Sequence, residues 1–358
     1  MPRSNQSQKY FTSQLLNWHA TVNERSLPWK SEKDPYKIWL SEVILQQTRA
    51  LQGLPYYLRF TESYPTINDL ANANEDEVFR LWQGLGYYNR CKNMLATAKL
   101  VVEKHNGRVP DSYEGLLELK GIGPYTASAI ASFAFGRPNA VVDGNVYRVL
   151  SRYFGIDTPI DTTEGKTEFA SLARDLLDKK NSAAYNQAIM DLGATVCTPS
   201  GPKCEDCPLA KRCVAFAKEL TGLLPVKSKK LKIKTRYFNY IIFVWNNSIW
   251  LHKRSAKDIW ENLNEPWLIE TEQPIDEKEV ANESVFVKNK ISLETIKYSG
   301  TSSQRLTHRI IEARFYTVAL KKKPQFPDDK GKWVAMSALS QTPFPKTVLS
   351  FLEKNLYF

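Results

Sequence analysis

The stretch LELKGIGPYTASAIASFAF, residues 117–135, carries two glycines one residue apart and, directly after them, a proline. Glycine adopts the left-handed backbone that ends a helix at little cost, and proline suits the first turn of the next one. The spacing predicts a helix that ends at Gly121, a tight turn through Gly123 and a second helix from Pro124: a helix–hairpin–helix. With no Cβ at either turn position, consecutive backbone N–H groups can point outward beside the positive end of a helix, which suits a phosphate. Taken alone, the pattern also fits a turn that binds nothing.

Outward from this stretch, the 358 residues are 42% hydrophobic and 12% aromatic, enough for two folded units. Forty-nine Lys and Arg against 38 Asp and Glu give a formal charge of +11, which favours a polyanionic partner such as nucleic acid. No apolar run approaches the length of a membrane span, and the opening MPRSNQSQKYF lacks the apolar core of a signal peptide. The expectation is a cytoplasmic protein without a membrane partner, nucleoid-associated if bacterial.

Up to about residue 224, apolar positions recur at three- and four-residue intervals, so residues 1–224 are predicted to be all-helical. PVKSKKLKIKTR, residues 225–236, reads as a basic connector, fitting either a solvated tether or phosphate contact. YFNYIIFVW, then Asn246-Asn247, then SIWLHKR reads as a β-hairpin, and RIIEARFYTVAL and KWVAM read as further strands. Residues 237–358 are predicted to form an α+β domain.

Two acids stand out. Asp143 in AVVDGNVYRVL precedes an amphipathic helix and reads as its N-cap, where it is expected to keep a low pKa and stay charged. Glu42 sits inside the apolar run IWLSEVILQQTR, with Ile38, Trp39, Leu45 and Gln46 at helical spacing around it. If that face lines a cavity, desolvation raises the Glu42 pKa toward neutrality and makes it a usable general acid; otherwise it is a surface glutamate. Four cysteines, Cys197, Cys204, Cys207 and Cys213, crowd into CTPSGPKCEDCPLAKRC and point to one metal centre, by spacing equally zinc or iron–sulfur. Cys91 reads as a buried free thiol.

LKGIGPYTASAI, VDGNVYRV and C-x6-C-x2-C-x5-C together resemble the helix–hairpin–helix DNA glycosylase superfamily, and WLSEVILQQTR and GLGYYNRCKNM narrow the resemblance to the MutY adenine DNA glycosylases. The resemblance implies a monofunctional hydrolase that removes adenine opposite 8-oxoguanine or guanine from double-stranded DNA, acting as a monomer. It makes Glu42 the acid that protonates the base and later activates water, and Asp143 the stabiliser of the sugar cation. Tyr125 stands where strand-nicking relatives carry a lysine, and Asn145 is expected to hydrogen-bond within the site. Lys120, five residues earlier, is the alternative amine.

The same resemblance turns the cysteine loop 197–213 into a [4Fe-4S] site, with Lys203, Lys211 and Arg212 presenting charge to DNA. Gly121 and Gly123 would contact the backbone. Arg25 and Trp29 in RSLPW would flank the flipped base, with Gln187 completing the pocket. Gln46, Gln47, Tyr87 and Tyr88 are candidate wedges, with Gln47 and Tyr87 entering the stack by similarity, and Thr48 and the backbone near Leu85 lying close to the partner base. The second domain resembles a MutT-like (Nudix-like) module that reads 8-oxoguanine through Thr307 and His308 in RLTHRI. Leu306 stands where an aromatic is usual, ENLNEPWLIE follows its counterpart only loosely, and the glutamate-rich metal helix of active hydrolases is absent, which implies binding without catalysis. The competing readings are an endonuclease-III-like glycosylase/lyase and a catalytically silent, cluster-bearing DNA-binding protein.

Overall fold

A computed structural model describes residues 5–228, 233–255, 258–324, 326 and 331–356. The chain divides into two compact units: Met1–Asn72 with Asn93–Lys230, and Ala73–Lys92 with Leu231–Phe358. The described residues of the first unit contain helices and no strand.

In the first unit, local chemistry sets the helix ends that matter for function. Asp34 accepts a hydrogen bond from the Tyr36 N–H and Pro35 opens the helix Pro35–Leu45. The helix before the hairpin ends at Leu117, earlier than the glycine pattern suggested, and an irregular turn leads to Gly121 at φ +81°. A side chain at Gly121 would meet Asn93 at 2.9 Å, so both backbone hand and space require glycine there. Pro124 then opens the helix Pro124–Phe135, which closes on Gly136 in the left-handed region. Asp143 caps the helix Gly144–Phe154, accepting from the N–H groups of Asn145 and Val146, each at 2.8 Å.

A core of Phe11, Leu15, Tyr153, Phe169, Tyr185 and Leu192 joins the helices Asn5–Thr21, Gly144–Phe154, Thr163–Leu176 and Ser182–Thr195. Helices Gly144–Phe154 and Ser182–Thr195 pack together, and Gly193 faces Asn145 at close range. Beyond the cysteine loop, the chain is pinned back onto this unit: Arg152 donates to the Leu224 carbonyl, and Ser228 bonds Asp161. Of the basic connector, residues 229–232 lie outside the described residues.

The second unit is built on a mixed sheet. Its strands are β1 (Lys234–Trp245), β2 (Ser248–Lys253), β3 (Asn264–Glu265), β4 (Trp267–Thr271), β5 (Ile296–Arg305), β6 (Arg309–Ala319) and β7 (Gly331–Ala335). The order is β3-β2-β1-β6-β5, with β1 and β6 parallel, β4 pairing with β1 and β7 with β2. Asn246 and Asn247 turn the β1–β2 hairpin with φ of 45° and 54°, the left-handed pair that a two-residue hairpin needs. Phe243, Trp250, Phe286 and Val318 fill one core, while Phe315 stacks on Phe351 of the helix Lys346–Leu356 with ring centroids 3.8 Å apart.

A Cβ at Gly193 would lie 2.6 Å from Asn145 Cβ, so Gly193→Ala forces the two helices apart. Thermal unfolding of that variant is expected to show a loss of roughly 1–3 kcal/mol, the usual cost of overpacking; an unchanged melting temperature would contradict this contact.

Candidate active site

Glu42 lies about two turns into helix Pro35–Leu45, and this helix packs against Pro124–Phe135. Ile38, Trp39 and Val43 around it are buried, and Glu42 itself is only 6% exposed. The structure thus decides between the cavity and surface readings of this residue. Gln46 donates from its amide to Thr126 Oγ1 at 3.0 Å, which fastens the end of this helix to the one after the hairpin.

Burial is the main influence on Glu42 and pushes its carboxyl up to about 7. A hydrogen bond from the Tyr125 hydroxyl opposes the rise, and the charge of Asp143 adds to it. Tyr125 is held well above the ordinary phenol range by burial of its hydroxyl and by both acids, so it remains a donor. The three groups therefore form one electrostatically coupled cluster.

Asp143 differs from the expectation in direction. Burial raises its pKa, and this outweighs the N–H bonds of Val146 and Asn145, the Asn145 amide and the Arg148 charge, all of which lower it. The cap exists as expected, but a cap inside a half-buried cleft does not leave the group as acidic as one in water. Asn145 donates from Nδ2 to Asp143 Oδ2 at 2.7 Å and accepts from Arg148 at 2.8 Å. Arg148 donates onward to the carbonyls of Gly193 and Cys197, both at 2.6 Å.

These groups line an open cleft of about 2010 Å³. Gly121 and Gly123 lie on its wall, and nothing stands within 4 Å of where a Gly123 side chain would be, so the turn is open for a ligand to approach. Gln47, exposed at φ +55°, and Thr48 line it beside Glu42, as do Arg25, Trp29 and Gln187. The Trp29 ring stands edge-on to Tyr57 at 5.3 Å. Lys120 is exposed and is not among the residues lining the cleft.

Leu85, Tyr87, Tyr88, Thr307 and His308 belong to the second compact unit. Leu85 is buried, whereas Tyr87 is 44% exposed at φ +51°. The Tyr87 hydroxyl bonds Thr307 Oγ1, and its ring lies under the Arg90 guanidinium. Thr307 and His308 are exposed in the loop between β5 and β6. Tyr88 is a core residue, not a wedge: it is buried, parallel to Phe79, and its hydroxyl accepts from the Gly84 N–H.

Cys197, Cys204, Cys207 and Cys213 form no disulfide. Each of the last three senses the charge of others in the set, and burial pushes the Cys207 thiol up to about 12. Arg152 donates to Cys197 Sγ at 3.4 Å. Four thiols with an adjacent guanidinium suit an anionic, all-sulfur centre, although no three His, Cys, Asp or Glu side chains among the described residues already converge as a metal site. Lys203 and Lys211 are exposed, while Arg212 is engaged over the Tyr10 ring at 4.2 Å.

Asp191 is the residue the sequence reading missed. Fully buried, it accepts from Arg25 Nη1 at 2.7 Å, Lys30 Nζ at 2.5 Å, Asn23 Nδ2 at 2.8 Å and Gln187 Nε2 at 3.2 Å. Its one local signal was the four-residue spacing from Gln187 on a single helix.

Residues 40–174 match the family described as HhH-GPD superfamily base excision DNA repair protein, and residues 239–354 match a NUDIX domain. An adenine DNA glycosylase of Buchnera aphidicola subsp. Schizaphis graminum is 36% identical over 253 residues, spanning 71% of this chain and 73% of that relative. The human adenine DNA glycosylase is 42% identical over 214 residues, which are 57% of this chain and 39% of its own. Among solved structures, a thermostable thymine-DNA glycosylase superposes with a TM-score of 0.56 at 32% identity, covering 60% of this chain and 98% of its own. An endonuclease III–DNA complex shares the fold, with a TM-score of 0.54 at 22% identity over 61% of this chain and 99% of its own. With a matched repair domain joined to a NUDIX domain, and a relative 36% identical over 73% of its own length, the chain belongs to the adenine DNA glycosylase family.

Proposed function

We propose that this chain is a monofunctional enzyme of base excision repair that removes adenine mispaired with 8-oxoguanine or guanine in double-stranded DNA. One observation carries the reading: Glu42, buried and held near neutrality, is coupled through Tyr125 to the capping carboxylate Asp143. A base flipped into the cleft meets both acids. Glu42 gives its proton to a ring nitrogen of adenine, the bond from that base to the sugar breaks with its electron pair, and the sugar is left oxocarbenium-like. Asp143, ionised, stabilises that cation from a fixed position. Glu42, now a carboxylate, takes a proton from water as the oxygen adds to the sugar carbon. Tyr125 donates to Glu42 and offers no amine for a Schiff base, which favours hydrolysis over the glycosylase/lyase reading.

In the same proposal the turn at Gly121 and Gly123 holds a DNA phosphate, and Gln47 and Tyr87 fill the stack, with Thr48 and the backbone near Leu85 beside the partner base. Residues 237–358 form the recognition domain, reading the oxidised partner with Thr307 and His308; of the basic stretch 225–236 between it and the catalytic domain 1–224, Lys234–Arg236 already belong to β1, and within 1–224 the segment Ala73–Lys92 groups with the recognition unit. Cys197, Cys204, Cys207 and Cys213 hold a [4Fe-4S] cluster whose place is structural, since no step above needs an electron. The protein acts as a monomer.

Glu42→Gln is expected to lower single-turnover adenine release from an A:8-oxoguanine duplex by about 10²–10⁴-fold, the range of general acid–base catalysis, with DNA affinity within a few-fold of the parent. Parent product should appear as strand breaks only after alkali. The parent rate should fall as pH rises through about 7, where Glu42 loses its proton. Because Glu42 binds a proton more tightly folded than unfolded, stability falls as pH rises from the ordinary glutamate range to about 7, by roughly 3 kcal/mol in all, and the loss is complete above that pH. Glu42→Gln should therefore melt higher than the parent at pH 8. Substantial activity in this variant would refute the acid.

Thr307→Ala with His308→Ala should bring the rates opposite 8-oxoguanine and guanine closer together while leaving the guanine rate nearly unchanged; equal losses on both would argue against a reading role. Purified protein is expected to contain four irons and absorb in the visible, and chelation of that iron should lower DNA binding before it lowers adenine specificity. Stoichiometric zinc without iron would overturn the cofactor.

A further inference from the structure

We propose that Asp191 is a positioning residue that sets which end of the Gln187 amide faces the base, and so selects a base carrying an exocyclic amine. The inference rests on the function proposed above and deepens it. Asp191 is fully buried, with two cationic side chains on its oxygens, Arg25 Nη1 at 2.7 Å and Lys30 Nζ at 2.5 Å. A carboxylate so placed can only accept hydrogen bonds. The Gln187 atom facing it at 3.2 Å must therefore be the NH₂ group, which fixes an amide orientation that the two similar ends of glutamine would otherwise leave open.

Gln187 lines the cleft, and with its nitrogen committed to Asp191 the end left for a ligand is the carbonyl oxygen. An acceptor there pairs with the amine of adenine. It meets a second acceptor in the carbonyl of guanine at the corresponding position, or in that of thymine at its pairing edge, and two acceptors repel.

The same carboxylate holds the neighbouring wall. Asn23 Nδ2 and Lys30 Nζ share its second oxygen, and Lys30 also donates to the Arg25 carbonyl, so the loop from Asn23 to Lys30 closes on one buried charge. Trp29 lies within that loop and lines the cleft. Because Gln187 and Asp191 are four apart on one helix, their contact is fixed by helical geometry, and both carboxylate oxygens accept from cationic side chains as well.

The test compares single-turnover excision of adenine with that of purine, the same ring without the amine, each opposite 8-oxoguanine. The parent's removal of adenine checks the enzymatic reading by itself; failure there sinks that reading, whatever the variants do. Asp191→Asn presents an amide that can face Gln187 with either end, and is expected to lower the adenine-to-purine rate ratio by about tenfold. Gln187→Met, which keeps the shape and loses the amide, should lower the ratio equally, and the double variant should lower it no further. A ratio unchanged in Gln187→Met overturns the proposal even if Asp191→Asn does not fold. So does an equal loss on both bases in a folded Asp191→Asn, which marks a merely structural residue.

Discussion

A carboxyl group taken out of water keeps its proton unless something charged or hydrogen-bonding compensates the ion. Glu42 is placed where that balance falls at neutrality. Apolar neighbours on its own helix remove water, the Tyr125 hydroxyl supports the anion, and Asp143 opposes it. Without the Tyr125 hydroxyl the carboxyl would hold its proton more firmly than the proposed switch from acid to base allows; with the apolar neighbours opened to water it would lose the proton that the proposed first step uses. The useful range is narrow, and the rest of the first unit acts to hold it.

Asp143 is held more elaborately than capping alone needs. It accepts two backbone N–H groups and the Asn145 amide, and Asn145 is turned by Arg148, which is itself fixed on the carbonyls of Gly193 and Cys197. The close approach of Gly193 to Asn145 leaves that arrangement no slack. The chain of contacts runs from the acid to the first cysteine of the loop, so ordering the loop and orienting the acid are one mechanical problem. The cluster proposed on these cysteines would thereby hold the acid in place without taking part in electron transfer.

Much of this is local chemistry and so legible in sequence. Asp34-Pro35, Gly123-Pro124, Asp143 and Asn246-Asn247 act over a few residues, and each forms the start or turn its residue types predict. What sequence could not supply was burial. Whether Glu42 faced water depended on a helix about eighty residues away. The Asp143 pKa moved up, not down, because the cap lies in a cleft. Tyr87 and Tyr88, identical and adjacent, part company because one sits at the end of a left-handed turn and the other begins a helix with its ring in the core. Asp191 was invisible because its cationic partners lie more than 160 positions away in the chain.

The turn that carries Tyr87 shows how far such long-range control extends. Gly84, Gly86 and Tyr87 all have positive φ, at 92°, 80° and 51°, and for tyrosine that conformation carries a steric cost. A strained residue persists only when its surroundings over-determine it. Here Trp82 and Arg90 both donate to the Gly86 carbonyl, the Tyr88 hydroxyl takes the Gly84 N–H, and Thr307 takes hold of the Tyr87 hydroxyl. The segment Ala73–Lys92, although it interrupts the helical unit in sequence, is grouped by its contacts with the sheet that supplies Thr307. A side chain expected to enter the base stack and a loop expected to read the opposite base thus belong to one compact unit. Displacing either changes the other's hydrogen bonding directly, with no signal needing to cross the helical core.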